Sequence, residues 1–167
     1  LLGEGAELIA AVDELAPRDA GAVGNVLSWS RYEAPQAGRG EQVHFCQIRS
    51  DSDGMASAML VSPGRDHAAR LSWSADTLPC FTLWKNQGGL ADGYVTGLEP
   101  GTNYPNPRSF EAEQGRVVPL AAGEGVDFSL QLEHLSGPTV HEAIAAIRQH
   151  AAEPKVHSEP KAGWSAT

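Results

Sequence analysis

Glu99 closes an alternating run, Tyr94-Val95-Thr96-Gly97-Leu98-Glu99, and a rigid segment follows it, Pro100-Gly101-Thr102-Asn103-Tyr104-Pro105-Asn106-Pro107-Arg108. On a strand, Thr96 and Leu98 share one face while Val95, Gly97 and Glu99 share the other, so the carboxylate stands beside a residue with no side chain. A glycine there leaves room for a ligand against the backbone. The Pro/Asn segment supplies amide donors. Trp84, earlier in the chain, offers an apolar ring face of the kind that sugar C–H groups stack upon. These residues could line a ligand site, although a Glu at a strand end is also an ordinary surface carboxylate. On the residues alone both readings stand.

Other arrangements that could do chemistry fail on spacing. Asp51-Ser52-Asp53-Gly54 opens like a calcium loop but lacks the later oxygens and the closing bidentate Glu, which leaves an Asx turn. His141-Glu142 begins like a zinc-binding HExxH helix, yet Ala145 stands where the second histidine is required. Gly3-Glu4-Gly5 and Gly38-Arg39-Gly40 lack the third glycine of a dinucleotide site, and no GxSxG elbow occurs. The two cysteines, Cys46 and Cys80, have no CxxC spacing and lie in apolar runs, as reduced, packed thiols of a cytoplasmic protein would.

The composition of the 167 residues narrows the class further. Twenty-one acidic residues against 12 basic ones give a net charge of −9, with no Lys/Arg cluster to meet a phosphate backbone, so nucleic acid is excluded as partner. No apolar stretch approaches the length of a bilayer span, so no membrane partner is expected. Eighteen glycines and 11 prolines, with only 20% charged residues, favour strands joined by turns.

The elements that must position Glu99 and Trp84 follow from period-two runs. Residues 6–12 read as a first strand with Ala6, Leu8, Ala10 and Val12 on one face, and residues 13–37 as a long connection. Residues 43–50 and 55–61 read as a hairpin around the Asp51–Gly54 turn. Further strands are expected at 67–74, 80–85, 94–99 and 116–120. The last strand, at 126–135, has Val126, Phe128, Leu130 and Leu132 facing in. One helix follows, with Thr139 and Glu142 as a capping box and Val140, Ile144 and Ile147 on one stripe. The expected fold is all-β, an antiparallel β-sandwich with one short C-terminal helix. Residues 151–167 read as a flexible tail in which Trp164 is a potential docking residue.

The run Gly97-Leu98-Glu99-Pro100 through Asn103-Tyr104-Pro105-Asn106 resembles the base-bearing segment of the aldose 1-epimerase (galactose mutarotase) superfamily. The longer form, with Pro105-Asn106-Pro107-Arg108 and Gln114-Gly115-Arg116 behind it, is similar to the DUF4432 branch of that superfamily. The likeness runs over residues 1–150 and is strongest over 77–135. It implies a galactose mutarotase-like supersandwich of which this chain is the C-terminal portion, with Glu99 as catalytic base. Gly40-Glu41-Gln42-Val43-His44-Phe45 resembles the superfamily's Gly-x-Asp-His-x-Phe segment, which makes Glu41 the residue that holds sugar hydroxyls. His44 shares that strand and is either a site residue or a structural imidazole. Residues 77–84 resemble the segment leading to the aromatic residue of the sugar site, here Trp84, with Thr82 where mutarotases carry Gln. Lys85 departs from the family pattern, and it is expected at the margin of the site, paired with Asp92 or Glu41 or binding an anionic sugar.

The implied reaction is interconversion of sugar anomers. A base takes the proton of the anomeric hydroxyl while an acid protonates the ring oxygen; the ring opens, the C1–C2 bond turns, and closure gives the other anomer. It requires no metal or organic cofactor. The family's acid, a histidine, belongs to a motif that none of the six histidines matches and that lies before the first strand. The expectation is therefore a piece of a longer polypeptide, its sheet covered by a missing N-terminal half or by a partner copy. Its expected ligand is a monosaccharide or sugar derivative. A non-catalytic carbohydrate-binding sandwich and a protein-interaction domain are the alternatives.

Overall fold

In the computed structural model, which describes residues 1–166, two sheets face one another. One has the strand order β1-β4-β5-β8 and the other β7-β6-β3-β2-β9. β1 (Glu7–Ala10) and β2 (Val12–Pro17) are a single extended run that leaves one sheet and enters the other. Leu8 and Val12 point between the sheets. Ile9 and Ala11 point the other way, against helix α3 (Pro138–His150). An unbroken apolar run fits a strand buried on both faces.

The segment expected as an irregular connection at 13–37 holds most of β2, a short helix α1 (Ala20–Val23) and a 3-10 turn at Val26–Ser28. β3 (Gln42–Ile48) and β4 (Met55–Val61) do not form the expected hairpin. β3 pairs with β2 and β6, and β4 pairs with β1 and β5, so the Asp51–Gly54 turn carries the chain between sheets. The turn chemistry is as expected. Asp51 Oδ1 accepts from the backbone of Asp53 and Met55 at 2.9 Å each, and Gly54 has φ +76°. Local turn signals specify the reversal, whereas the partner of each strand is set by which apolar face it must bury.

β5 (His67–Ser74), β6 (Cys80–Asn86) and β7 (Val95–Gly101) lie where their alternation puts them. Trp73 of β5 stacks on Phe81 of β6 with ring centroids 5.3 Å apart, which joins the two sheets, and its indole N–H donates to the Leu78 carbonyl. Residues 116–120 form no strand; helix α2 (Arg108–Glu113) lies just before them instead.

β8 (Leu130–Ser136) is shorter than expected and lies at the sheet edge. Leu130 and Leu132 pair with Trp73 and Leu71, so they sit on the core side, yet Leu132 is 76% exposed, and Val126 and Phe128 are open too. The period-two pattern assigns the face correctly, but the described residues do not cover it.

α3 lays Val140, Ala143, Ile144 and Ile147 on the outer side of the first sheet. It starts with Pro138 after Gly137 (φ +61°), one residue before the expected cap. The Thr139 hydroxyl donates to the Ser136 carbonyl, so the capping box does not form. The segment read as a flexible tail is held down: β9 (Lys155–Val156) adds in parallel to β2, and Trp164 packs on Tyr104. Thr167 lies outside the described residues.

Candidate functional site

β3, β6 and β7 are adjacent, and their register brings the predicted residues together. Trp84 lies opposite Val43 on one side and Gly97 on the other, and Glu99 lies opposite Thr82. Directly opposed residues share a face, so Trp84, Gly97 and Glu99 stand together on the outer side of the second sheet. Glu41, one residue before β3, joins them: its Oε2 accepts from Trp84 Nε1 at 2.9 Å and its Oε1 from Arg18 Nη2 at 3.1 Å. Arg18 also donates through Nε to Asp19 Oδ2 at 2.7 Å.

The space beside Gly97 is used by Glu99 itself. A Cβ added at Gly97 would overlap the Glu99 carboxylate, whose Cδ lies 3.1 Å from that point. The glycine thus lets the carboxylate fold back over position 97, which lies opposite Trp84.

The two carboxyl groups are driven apart electrostatically. The Trp84 indole N–H and the Arg18 guanidinium hold Glu41 below the usual carboxylate range. Partial burial, then the negative charge of Glu41, raises Glu99. One carboxylate is fixed in its charged form, and the other is made a stronger base.

Two predicted site residues lie elsewhere. Lys85 follows Trp84 on β6, and alternation turns it to the opposite face, into the sandwich interior. It is fully buried. Its Nζ donates to Asn25 Oδ1 (3.0 Å), Trp29 O (3.0 Å) and Arg31 O (2.6 Å), and lies 4.9 Å from the Tyr32 ring centroid. Burial lowers its pKa to about 8. It therefore pairs with neither Asp92 nor Glu41 and is not at the margin of the site. His44 shares this interior face, opposite Leu83. Among the described residues neither ring nitrogen has a hydrogen-bond partner, and burial, then the Lys85 charge, lowers its pKa to about 4. On this face it lies away from Glu41, Trp84 and Glu99.

The segment after Glu99 is braced by residues to which sequence reading gave no role. Tyr104 stacks on Phe45 at 4.5 Å, and its hydroxyl donates to the Cys46 carbonyl. Arg116 holds the buried Glu111 through two nitrogens (2.5 and 2.8 Å) and lies 5.2 Å over the Tyr104 ring. In the sequence Arg116 stands out only in the Gln114-Gly115-Arg116 run of the family resemblance. Arg18 was hidden in the assumed loop.

Among the described residues, no group of three or more His, Cys, Asp or Glu could hold a metal ion, and no helix is long and apolar enough to cross a membrane. Cys46 and Cys80 are free and buried.

The antiparallel sandwich is that of a galactose mutarotase-like protein. The chain belongs to the DUF4432 family, a domain of unknown function, whose profile matches residues 1–134. It is similar to a solved structure from Klebsiella pneumoniae subsp. pneumoniae described as a "putative aldose 1-epimerase", with 30% identity and a TM-score of 0.91. The alignment covers 97% of this chain and 43% of that one, so the chain spans less than half the length of that relative. No curated protein matches.

Proposed function

We propose that this chain carries the base-bearing wall of an aldose site, and that the full-length protein interconverts sugar anomers. The observation that carries this reading is the meeting of Glu99, Glu41 and Trp84 on one face, with Glu99 raised and Glu41 held ionised. In this reading Trp84 receives the C–H face of the ring and Glu41 orients a hydroxyl. Glu99 takes the anomeric proton, and its raised pKa brings it closer to the strength a base needs near neutral pH. The ring oxygen receives its proton from an acid outside residues 1–166; the relative's greater length and the interior position of His44 support this.

The wall suits an uncharged aldose. Lys85 is turned away, and Arg18 is engaged by Asp19 and Glu41, so two carboxylates dominate the surface a sugar would meet. We further infer that protein outside residues 1–166, either a missing half of a longer polypeptide or a partner copy, covers Leu130 and Leu132, a reading supported by their exposure on the core side of β8. Two free, buried thiols support a reducing, cytoplasmic setting.

The reading is tested by polarimetry of freshly dissolved aldoses with the full-length protein, alongside their effect on its thermal stability. Accelerated mutarotation supports it. Stabilisation without acceleration makes the protein a carbohydrate-binding sandwich instead, and neither effect points to a protein-interaction domain.

A further inference from the structure

We propose that the C-terminal segment, residues 155–166, is a strap that sets the position of Glu41 relative to Glu99, with Ser165 and Asn106 as positioning residues. The inference rests on the sugar-site reading above.

The strap is anchored far from the site. Glu14 on β2 receives Lys161 Nζ and His157 Nε2 at 2.6 Å each and Lys155 Nζ at 3.0 Å, beside the parallel pairing of β9 with β2. From this anchor the chain crosses the outer face of the second sheet. Lys161 Nζ lies 3.8 Å over the Trp164 ring, and Trp164 packs on Tyr104 with centroids 5.3 Å apart.

Its end then divides between the two sides of the site. On one side the buried Ser165 donates through Oγ to the backbone carbonyl of Arg18 at 2.5 Å, and Arg18 is the residue whose guanidinium holds Glu41. On the other side Asn106 Nδ2 donates to the Trp164 carbonyl at 2.8 Å, and Asn106 Oδ1 accepts from Ala166 N at 3.2 Å. Arg116 Nη1 donates to the Gly163 carbonyl at 2.7 Å. Asn106 and Arg116 share the carboxylate of Glu111, in the segment that continues directly from Glu99.

β2 and β7 are not neighbours; β3 and β6 separate them. Apart from the strap, Arg18 and the Glu99 segment are linked through the intervening strands, which can twist and shear, and through the Glu41–Trp84 and Tyr104–Phe45 contacts. The strap adds a direct connection on the outer face, with contacts to Arg18, which holds Glu41, and to Asn106 and Arg116 in the segment that continues from Glu99. Ordering it costs conformational entropy. A fixed spacing of the two carboxylates is the return, because a small misplacement of a catalytic group is expensive in rate.

The test uses the full-length protein with Ser165→Ala, which removes the bond to Arg18, and Glu14→Gln, which loosens the distant anchor. The readouts are the indole N–H nuclear magnetic resonance signal of Trp84, assigned with Trp84→Phe, and the dissociation constant for an aldose. Both variants are expected to shift the Trp84 signal and weaken sugar binding about three- to tenfold, the loss of one hydrogen bond. Ser165→Thr, which keeps the hydroxyl, restores both. An unmoved Trp84 signal with unchanged affinity, even with a lowered melting temperature, would overturn the proposal and leave the strap purely structural. If the unmodified protein binds no aldose, the sugar-site reading fails by itself; the Trp84 signal in Ser165→Ala then still decides whether the strap positions Glu41.

Discussion

Trp84 donates its indole N–H to Glu41 at 2.9 Å, from β6 to the residue just before β3. This one bond fixes the aromatic platform and the ionised carboxylate together, and the charge it stabilises is part of what raises Glu99.

The pH dependence of activity should show that coupling. With Glu99 as base, kcat/KM falls as the pH drops through its raised pKa, above the ordinary Glu value of about 4.3. Glu41→Gln removes a negative neighbour, so the acidic limb should move to lower pH. A limb that stays in place or moves up, measured across pH 4–8, would separate the two carboxylates.

Gly97→Ala should cost function with little loss of fold. The added methyl overlaps the Glu99 carboxylate, and Gly97 is only half-buried. We expect about a 10²-fold fall in kcat/KM with an unchanged circular dichroism spectrum.

The strand alternation that puts Glu99 beside Gly97 also forbids Trp84 and Lys85 from sharing a face, so the interior position of Lys85 was legible in the sequence once β6 was assigned. The faces of β5, β6 and β7 were readable for the same reason: each has a local period of two. What could not be read is long-range. Nothing local marks residue 12 as the point where one run passes between sheets, or links Glu14 to His157 and Arg18 to Ser165. Leu130 and Leu132 were assigned to the buried side by a pattern that reports which face is apolar and not what lies against it.

Lys85 should behave as a structural cation. Lys85→Met strands the Asn25, Trp29 and Arg31 acceptors and should destabilise the fold by about 2–4 kcal/mol in denaturant unfolding. Its pKa in the fold, about 8, lies below the unfolded value near 10.4, so the unfolded chain binds more protons between them. The stability advantage of the native protein over Lys85→Met should therefore grow as pH rises from 8 to 10. A shrinking advantage would contradict the burial account.

Acid should release the strap anchor. Glu14 is lowered from 4.5 to about 2 by its bonds to Lys161 and His157, so its contribution is full above pH 4.5 and lost as pH falls towards 2. Glu14→Gln should lower stability by about 1–3 kcal/mol at pH 6 and converge on the native protein near pH 2. Urea unfolding at the two pH values checks this; a difference independent of pH would mean that charge is not what holds the strap.

The central claim is that Glu99 takes the anomeric proton of an aldose. The most direct measurement is the polarimetric rate of anomer interconversion by the full-length protein and by its Glu99→Gln variant, at equal concentration and with folding verified. The account predicts accelerated interconversion by the native protein and a loss of about 10²–10⁴-fold in the variant, the usual contribution of a general base. Undiminished activity in Glu99→Gln would contradict it.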